Sequence, residues 1–402
     1  MAKNSSTQLI KEVLLQFHRE RGYKILESFP MISDDPTVLL VNATITPFKG
    51  LFIGTDVEQI NFALIQKCFR LRGLNSIEEI GKNKNCSSYF EMFGSGIFHI
   101  SYQEAIVYLL DLLRDLGLDP SKEYFVVPAD HNFEKELKDK GVADEQIFIL
   151  RENQIFWQEW KFGKGGPVGK GLTVVYAIGN VKPSSVEQME NDSENFLELL
   201  NLIYIFGKDQ DGTTVSVSSP GFELGVGVER IATILQDCNG YQTDTIRPLV
   251  ELIKDYFQKQ KYQADEETIM ICADHLRSSF MLLSEGLTPS NKGAGYVLRK
   301  LIRRMIENIW QSASEPVSVN DLAKVFFLKM IEMGCPTNQS VDTLIGFIQE
   351  EERALLKAFS RAKKVLNRKP DTSPSILRDT YGVSPEMLAL MKKRKGVIHD
   401  KQ

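Results

Sequence analysis

Gly225-Val226-Gly227-Val228-Glu229-Arg230 runs directly into Ile231-Ala232-Thr233-Ile234-Leu235, which has the apolar pattern of a helix. Two glycines one residue apart let a backbone pass close to a bulky ligand, where side chains would collide. Arg230 then stands at the start of the helix, where its guanidinium adds to the positive end of the helix dipole. The stretch indicates a strand exit suited to polyphosphate. A glycine-containing strand exit followed by a helix with a solvated Glu/Arg start explains the same residues equally well.

The chain has 402 residues, of which 43% are apolar and 25% are charged, as is typical of a soluble globular protein of two or three domains. It has no run of 18 uncharged apolar residues, and its N-terminus lacks the apolar core of a signal peptide. We therefore expect no membrane partner and a cytoplasmic location. The five cysteines and five histidines form no C-x-x-C or H-x-x-x-H pair, so neither a disulfide framework nor a zinc site is predicted.

The net charge of −5 is unevenly spread along the chain. From residue 271 onward there are 21 Lys and Arg against 14 Asp and Glu, a surplus of seven positive charges, so the first 270 residues carry −12. This asymmetry allows one half to bind an anionic polymer while the other holds a small-molecule site. On charge alone, a basic helical half with ordinary solvated faces is equally compatible.

The periodicity of apolar residues divides the chain into an α+β domain over residues 1–243 and an all-helical domain over residues 244–402. In the first domain the pattern predicts helices over 7–22, 104–116 and 133–140, and strands over 124–128, 146–150, 195–206 and 213–218. Residues 37–41 and 51–54 are predicted to be extended, and the glycine-rich residues 161–171 to be a loop. In the second domain helices are predicted over 244–258, 266–285, 295–311, 319–333, 340–366 and 374–393.

A second arginine site lies far upstream of Arg230. Gln66-Lys67-Cys68-Phe69-Arg70 is followed about twenty residues later by Phe90-Glu91-Met92-Phe93-Gly94. Two strands joined by a long charged loop would bring Arg70 opposite Phe90 and Glu91, which supplies a cation for a phosphate and an aromatic face for a base. With Arg230, two guanidiniums could then bracket a triphosphate for in-line attack by a carboxylate on its α-phosphorus. A half-buried ion pair between Arg70 and Glu91 is the alternative.

Further distinctive segments are Asp34-Asp35-Pro36-Thr37 with Phe48-Lys49, Phe156-Trp157-Gln158, Glu198-Leu199-Leu200-Asn201, Ala273-Asp274-His275-Leu276-Arg277-Ser278, Pro289-Ser290-Asn291-Lys292-Gly293 and Asp379-Thr380-Tyr381-Gly382. Together with the two arginine sites, these segments resemble the alanyl-tRNA synthetases, a family of class II aminoacyl-tRNA synthetases. The resemblance covers nearly the whole chain in the order expected of that family. It implies a class II antiparallel sheet flanked by helices, followed by a helical domain that recognises a tRNA acceptor stem.

The resemblance also implies a role for each matching residue. Arg70 would contact the α-phosphate of ATP and the substrate carboxylate, and Arg230 the γ-phosphate. The other residues implied to border ATP are Phe90, Glu91, Met92, Gly225 and Gly227. Those implied to line the amino-acid pocket are Trp157, Asn201, Ile203 and Glu223. For Asn201, an edge-strand asparagine meeting water is the alternative.

In the helical domain, the resemblance implies that Asn291 and Asp379 read a G·U wobble pair in the acceptor stem. Phosphates would be held by Arg299, Lys300, Arg303 and Arg304. Without the resemblance, Asn291 and Asp379 could equally be an ordinary loop residue and a helix-capping aspartate, and the basic residues a solvated helix face.

The sequence departs from the family in its pocket and its length. Glu223 stands where the family has an aspartate, and Ile203 where it usually has valine; each adds a methylene, worth about 1–3 kcal/mol of discrimination against a larger substrate. A glycine-rich stretch over 165–171 replaces a cysteine-rich loop. The chain ends where the family usually continues into editing and C-terminal domains, so no editing and a monomeric state are expected.

The predicted function is ATP-dependent activation of alanine, with Mg²⁺, and transfer to the 3′ end of tRNA(Ala). One alternative is an adenylating paralogue that loads a small amino acid onto a carrier protein or a metabolite. It has no use for Asn291, Asp379 or the basic helix. Another alternative is a non-catalytic tRNA-binding module, which has no need for both Arg70 and Arg230.

Overall fold

The computed structural model describes residues 5–54, 58–70, 74–129, 132–150 and 160–391. The chain divides into two compact units. Unit 1 comprises Met1–Arg70 and Phe90–Asp244, and unit 2 comprises Leu71–Tyr89 and Thr245–Gln402. Residues 71–89, which the predicted division placed in the first domain, thus belong to the helical unit.

A nine-stranded sheet forms the centre of unit 1, in the order β1-β2-β3-β9-β8-β7-β4-β5, with β6 pairing to β7. Its strands are β1 (Lys24–Ile25), β2 (Phe62–Phe69), β3 (Tyr89–Phe98), β4 (Glu123–Pro128), β5 (Ile147–Leu150), β6 (Trp160–Lys161), β7 (Pro167–Ala177), β8 (Phe196–Gln210) and β9 (Thr213–Gly227). The central pairs β3–β9, β9–β8, β8–β7 and β7–β4 are antiparallel, whereas β1–β2 and β4–β5 at the two edges are parallel. The expected class II arrangement, a mainly antiparallel sheet flanked by helices, is confirmed.

The helices of unit 1 are α1 (Thr7–Glu20), α2 (Lys49–Ile53), α3 (Tyr102–Asp115), α4 (Phe133–Asp139), α5 (Val186–Asn191) and α6 (Val228–Leu235). Helix α1 begins at Ser6, whose hydroxyl accepts from the amide of Leu9, and α3 begins with a capping box of Ser101 and Glu104. Both bury apolar residues at three- and four-residue spacing against the sheet, in one core with residues of β3, β8 and β9.

A buried polar chain links α1 and α3 to β3. His18 Nδ1 lies 2.6 Å from the carbonyl oxygen of Leu14, which can only accept, so Nδ1 carries the proton. His18 Nε2 therefore accepts from the hydroxyl of Tyr108 at 2.6 Å, which leaves the Ser95 hydroxyl to donate to Tyr108 at 2.8 Å. Burial lowers the pKa of His18 to about 4, so this histidine is a neutral core residue.

Three sequence predictions in unit 1 are wrong in whole or in part. Residues 51–54, predicted to be extended, lie in α2 and in the left-handed residue Gly54 that ends it. The loop predicted over 161–171 is confirmed only for residues 162–166, because β7 begins at Pro167. Gly169 and Gly171 do not mark a turn: a Cβ at either would lie 2.9 Å from the side chain of Ile203, so these glycines make room for the neighbouring strand. Residues 37–41 likewise form no strand, only a bridge at Leu40.

Unit 2 is helical, as predicted. Its helices are α7 (Arg247–Gln260), α8 (Glu266–Ser284), α9 (Gly293–Ala313), α10 (Asn320–Glu332), α11 (Val341–Arg368) and α12 (Pro374–Tyr381), and residues 385–391 are also helical. The single helix predicted over 374–393 is wrong, because Gly382 adopts a left-handed φ of 69° and ends α12. None of the helices in the described ranges is long and apolar enough to cross a membrane.

Buried polar contacts explain why residues 71–89 belong to unit 2. The Ser88 amide and hydroxyl donate to the two carboxylate oxygens of Asp274 at 2.7 and 2.6 Å. The Arg277 guanidinium donates to the carbonyl of Tyr89 at 2.9 Å. Arg304 donates to the carbonyls of Ile77 and Ile80 and to His275 Nε2. A long sequence separation hides these pairings from any local pattern.

Replacing Arg304 with methionine should destabilise unit 2 by about 3 kcal/mol, because the buried acceptors would lose their charged donor. Urea unfolding followed by circular dichroism measures the change. Arg361→Met, on an exposed face of α11, is the matched control and should change the unfolding free energy little. Equal stability of the two variants would show that Arg304 does not hold the segment.

Candidate active site

Two rows of residues cross one face of the sheet in unit 1. Residues directly opposite each other on antiparallel strands point to the same side, so each row is a set of neighbouring side chains. The first row is Gly96, Glu223, Ile203 and Gly171, and the second is Gly94, Gly225, Asn201 and Thr173. The register therefore brings the predicted pocket residues Asn201, Ile203 and Glu223 together around Gly225.

Glu223 is a carboxyl group enclosed by protein, with 5% of its surface exposed. Its Oε1 accepts a hydrogen bond from the Thr44 hydroxyl at 2.8 Å. Burial raises the pKa of Glu223 to about 7, while the hydrogen bond from Thr44 and the charge of Arg70 act in the opposite direction. A buried carboxyl that ionises near neutral pH is suited to bind a cationic group such as an amine.

Gly225 borders a small space beside this carboxyl. A Cβ at Gly225 would lie 3.5 Å from Glu223 Oε1, 3.5 Å from Met92 Sδ and 3.8 Å from Thr44 Oγ1, which is ordinary van der Waals contact. A methyl group carried by residue 225 itself would thus fit between a carboxylate, a thioether and a hydroxyl. Thr44 is not among the predicted pocket residues, although it lies between Thr37 and Phe48 of a segment that resembles the family.

Asn201 lies on β8, a central strand between β9 and β7, so the edge-strand alternative is wrong. Its Oδ1 accepts from the Thr173 hydroxyl at 2.6 Å, and its Nδ2 donates to Glu198 Oε1 at 2.9 Å. Sequence reasoning did not single out Thr173 or Glu198 as functional. The period-two pattern of a strand shows which face a residue shares, but not which residue of a distant strand lies opposite.

Arg70 follows β2 directly, and its guanidinium lies 5.6 Å from the ring centre of Phe90. Its Nε and Nη2 donate to the backbone carbonyl of Asn42 at 3.2 and 2.9 Å, which fixes the plane of the guanidinium. The carboxylate of Glu91 forms an ion pair with Lys11. Of the predicted ATP-bordering residues of β3, Phe90 thus lies beside Arg70.

Arg230 is in the first turn of α6, which begins after Gly227. Its Nη1 donates to the carbonyl oxygen of Glu198 at 2.6 Å and lies 3.5 Å from Glu198 Oε1. A Cβ at Gly227 would lie 3.3–3.4 Å from Cγ and Cδ of Arg230, so this glycine gives room to the arginine stem. Of the two glycines in the motif, only Gly225 borders the small space.

Glu229 is a buried residue whose role was not foreseen. Both of its carboxylate oxygens accept from the backbone amide of Glu91, at 3.1 and 3.2 Å. This contact attaches the start of β3, which carries Phe90 to Met92, to helix α6. Glu229 therefore has a structural partner, and its neighbour Arg230 is the candidate for binding a ligand.

Trp157, the remaining predicted pocket residue, lies outside the described residues.

In unit 2 the predicted phosphate-binding residues have different partners. Arg299 and Arg303 donate to the two oxygens of the buried Glu351 at 2.8 and 2.7 Å, and Arg299 also donates to Asn291. Lys300 Nζ lies 6.0 Å from the ring centre of Tyr296. Asn291 and Asp379 are exposed, and Asp379 pairs with Arg378 at 3.1 Å. Arg304 is turned toward the backbone of residues 77–80, so we leave it out of the candidate phosphate set.

A mainly antiparallel sheet with a buried carboxyl on one face and an arginine after each of two strands, in a chain with a helical unit, has the architecture of a class II synthetase. The chain belongs to the family described as "tRNA synthetases class II (A)", whose model matches residues 9–402.

Similar curated proteins carry the name alanine–tRNA ligase. The chloroplastic/mitochondrial protein of Oryza sativa subsp. japonica is 31% identical over 98% of this chain and 42% of its own length. The protein of Solibacter usitatus (strain Ellin6076) is 31% identical over 98% of this chain and 47% of its own length. This chain thus spans less than half the length of these relatives. Among solved structures, apo S. aureus histidyl-tRNA synthetase matches with 12% identity and a TM-score of 0.36, covering 57% of this chain and 65% of that chain.

The raised pKa of Glu223 predicts a pH-dependent stability. Because the folded pKa is about 7 and the ordinary value is 4.5, the folded state binds more protons between these values. Stability from this group is present below about pH 4.5 and is lost as the pH rises through 7, by about 3 kcal/mol in total. Relative to Glu223→Gln, which cannot ionise, the wild-type unfolding free energy should therefore fall between pH 4.5 and 8. Urea titrations of both proteins across this range measure the difference, and parallel pH profiles would contradict it.

Proposed function

We propose that this chain activates alanine with ATP to form alanyl-adenylate, and transfers the alanyl group to the 3′ end of tRNA(Ala). The observation that carries the proposal is the buried Glu223 carboxyl, beside which Gly225 leaves the volume of a Cβ unfilled. An amino acid with a methyl side chain offers the ammonium and the small apolar group that this site accommodates. The names of the similar curated proteins support the same substrate.

In the proposed reaction the chain acts by positioning and charge. Glu223 accepts hydrogen bonds from the substrate ammonium, and Asn201 and Ile203 border the substrate, together with Trp157. Arg70 binds the substrate carboxylate and the α-phosphate, with the adenine beside Phe90, and Arg230 binds the γ-phosphate. A carboxylate oxygen attacks the α-phosphorus, the bond to the bridging oxygen breaks, and pyrophosphate leaves. Because the attacking group is already ionised, no general base is needed.

Mg²⁺ is proposed to arrive bound to the phosphates of ATP. Within the described ranges, no group of three His, Cys, Asp or Glu side chains is placed to hold a metal ion. In proteins, Mg²⁺ usually keeps several waters and binds mainly through one or two carboxylates and substrate phosphates.

For the tRNA, we propose that Asn291 and Asp379 read the G·U pair of the acceptor stem. Both side chains are exposed. Arg299, Arg303 and Lys300 would contact phosphates, with the first two held in place by Glu351. A shared carboxylate fixes two guanidiniums and leaves other N–H groups for a ligand. A monomeric state, a cytoplasmic location and the absence of editing stay predictions from the sequence.

Amino-acid-dependent ATP–pyrophosphate exchange tests the first half of the reaction. Exchange is expected with alanine, and Arg70→Ala or Arg230→Ala should lower kcat/KM about 100-fold or more, because each removes a charge that stabilises the transition state. Arg361→Ala, exposed on α11, is the control. Exchange should be followed by charging of tRNA with G·U or G·C at the same position. Exchange without charging would favour the adenylating paralogue, and no exchange with alanine, glycine or serine would refute both enzymatic functions.

Gly225→Ala tests the small space directly. Its methyl group would make only ordinary van der Waals contacts, so the fold should be retained. The methyl would occupy the space proposed for the substrate side chain, and the KM for alanine in the exchange assay should rise about tenfold or more, by the 1–3 kcal/mol that a methylene is worth in such pockets. The KM for ATP should stay unchanged. A normal KM for alanine would place the amino acid elsewhere.

A further inference from the structure

A chain of hydrogen bonds runs from β7 across β8 to helix α6. Thr173 donates to Asn201 at 2.6 Å, Asn201 donates to Glu198 at 2.9 Å, and Arg230 approaches the same Glu198 oxygen at 3.5 Å. Asn201 belongs to the proposed amino-acid pocket and Arg230 to the proposed triphosphate site. Glu198 is thus shared by two groups that serve two different substrates.

The direction of each bond in this chain is fixed by chemistry. A carboxylate can only accept hydrogen bonds, so the amide nitrogen of Asn201 faces Glu198 and the amide oxygen faces Thr173. The hydroxyl of Thr173 must then donate to that oxygen. The orientation of the Asn201 amide therefore depends on the charge of Glu198. One N–H of Asn201 and one lone pair of its oxygen remain for the row that contains Gly225.

The same carboxylate restrains Arg230. The guanidinium donates to the carbonyl oxygen of Glu198 at 2.6 Å and faces its carboxylate, while its stem passes over Gly227. The Arg230 and Glu198 side chains are 35% and 21% exposed, so a polyphosphate can reach the guanidinium and compete for it. When a phosphate binds Arg230, the Glu198 carboxylate loses a cationic neighbour. Its negative charge then acts more strongly on the Asn201 amide.

We infer that Glu198 is a positioning residue that couples the two substrate sites, so that ATP binding at Arg230 strengthens amino-acid binding at Asn201. This inference rests on the proposed function. Because coupling between two ligands is reciprocal, the amino acid must strengthen ATP binding by the same factor. A residue that only supports the fold would alter the affinities of both substrates without altering this factor.

Calorimetric titration of the full chain measures the coupling. The probes are alanine and α,β-methylene-ATP, whose P–C bond prevents release of pyrophosphate. In the wild-type protein, saturating analogue should lower the Kd for alanine about fivefold or more. Glu198→Gln, which keeps the size but removes the charge, should reduce that factor at least threefold; a smaller reduction would overturn the inference.

Two further variants separate coupling from structural damage. Glu194→Gln, at an exposed position four residues earlier, should keep the wild-type factor. Thr173→Val removes the other hydrogen bond to Asn201, so it should weaken alanine binding at least threefold and keep the factor, because Glu198 and Arg230 are intact. If Thr173→Val abolishes the factor as fully as Glu198→Gln, the assignment to Glu198 is wrong. Wild-type binding of both probes with no mutual effect overturns the coupling alone, whereas binding of neither overturns the proposed function.

Discussion

The site of unit 1 depends on the register of β9 between β3 and β8. This register places Glu223 opposite Gly96 and Ile203, and Gly225 opposite Gly94 and Asn201. Because side chains alternate along a strand, a slip of one residue would turn Glu223 to the other face of the sheet. The apolar residues between them, such as Leu224 and Val226, would then leave the core with α1 and α3. Hydrophobic burial on one face thus fixes the position of the polar groups on the other.

Within this frame, the buried carboxylates have separate roles because they have separate partners. Glu229 accepts twice from a backbone amide and holds β3 to α6. Glu223 has a hydroxyl partner, and burial raises its pKa, so its ionised form gains from a cation. Glu198 is less buried and is bonded to the Asn201 amide. Burying a charge without a partner is costly. Among these carboxylates, Glu223 is therefore the one whose charged form gains most from a cationic ligand.

Local sequence patterns predict most of the helices and one hairpin, but they do not distinguish the roles of the glycines. The helices of unit 2 and the hairpin of β8 and β9 follow from periodicity and turn residues over a few neighbouring positions. The sequence predicts a loop at the glycines of β7. A glycine that makes room for Ile203 cannot be distinguished, in a sequence, from a glycine that turns the chain. The two glycines before Arg230 pose the same problem, since one borders the small space and the other lies under the arginine stem. Only the three-dimensional neighbours separate these uses.

The arginines of α9 show that the sequence does not reveal which charged side chains face a ligand and which have partners within the fold. The family resemblance implies that Arg303 and Arg304 both hold phosphates, yet these two residues, adjacent in sequence, have different partners. Arg303 shares the buried Glu351 with Arg299, one turn earlier. Arg304 donates instead to carbonyls of the segment that follows β2. That segment joins Arg70 to Phe90 along the chain. Arg304, a residue predicted to bind phosphate, therefore has a structural role instead: it holds the segment between the two strands of the proposed ATP site.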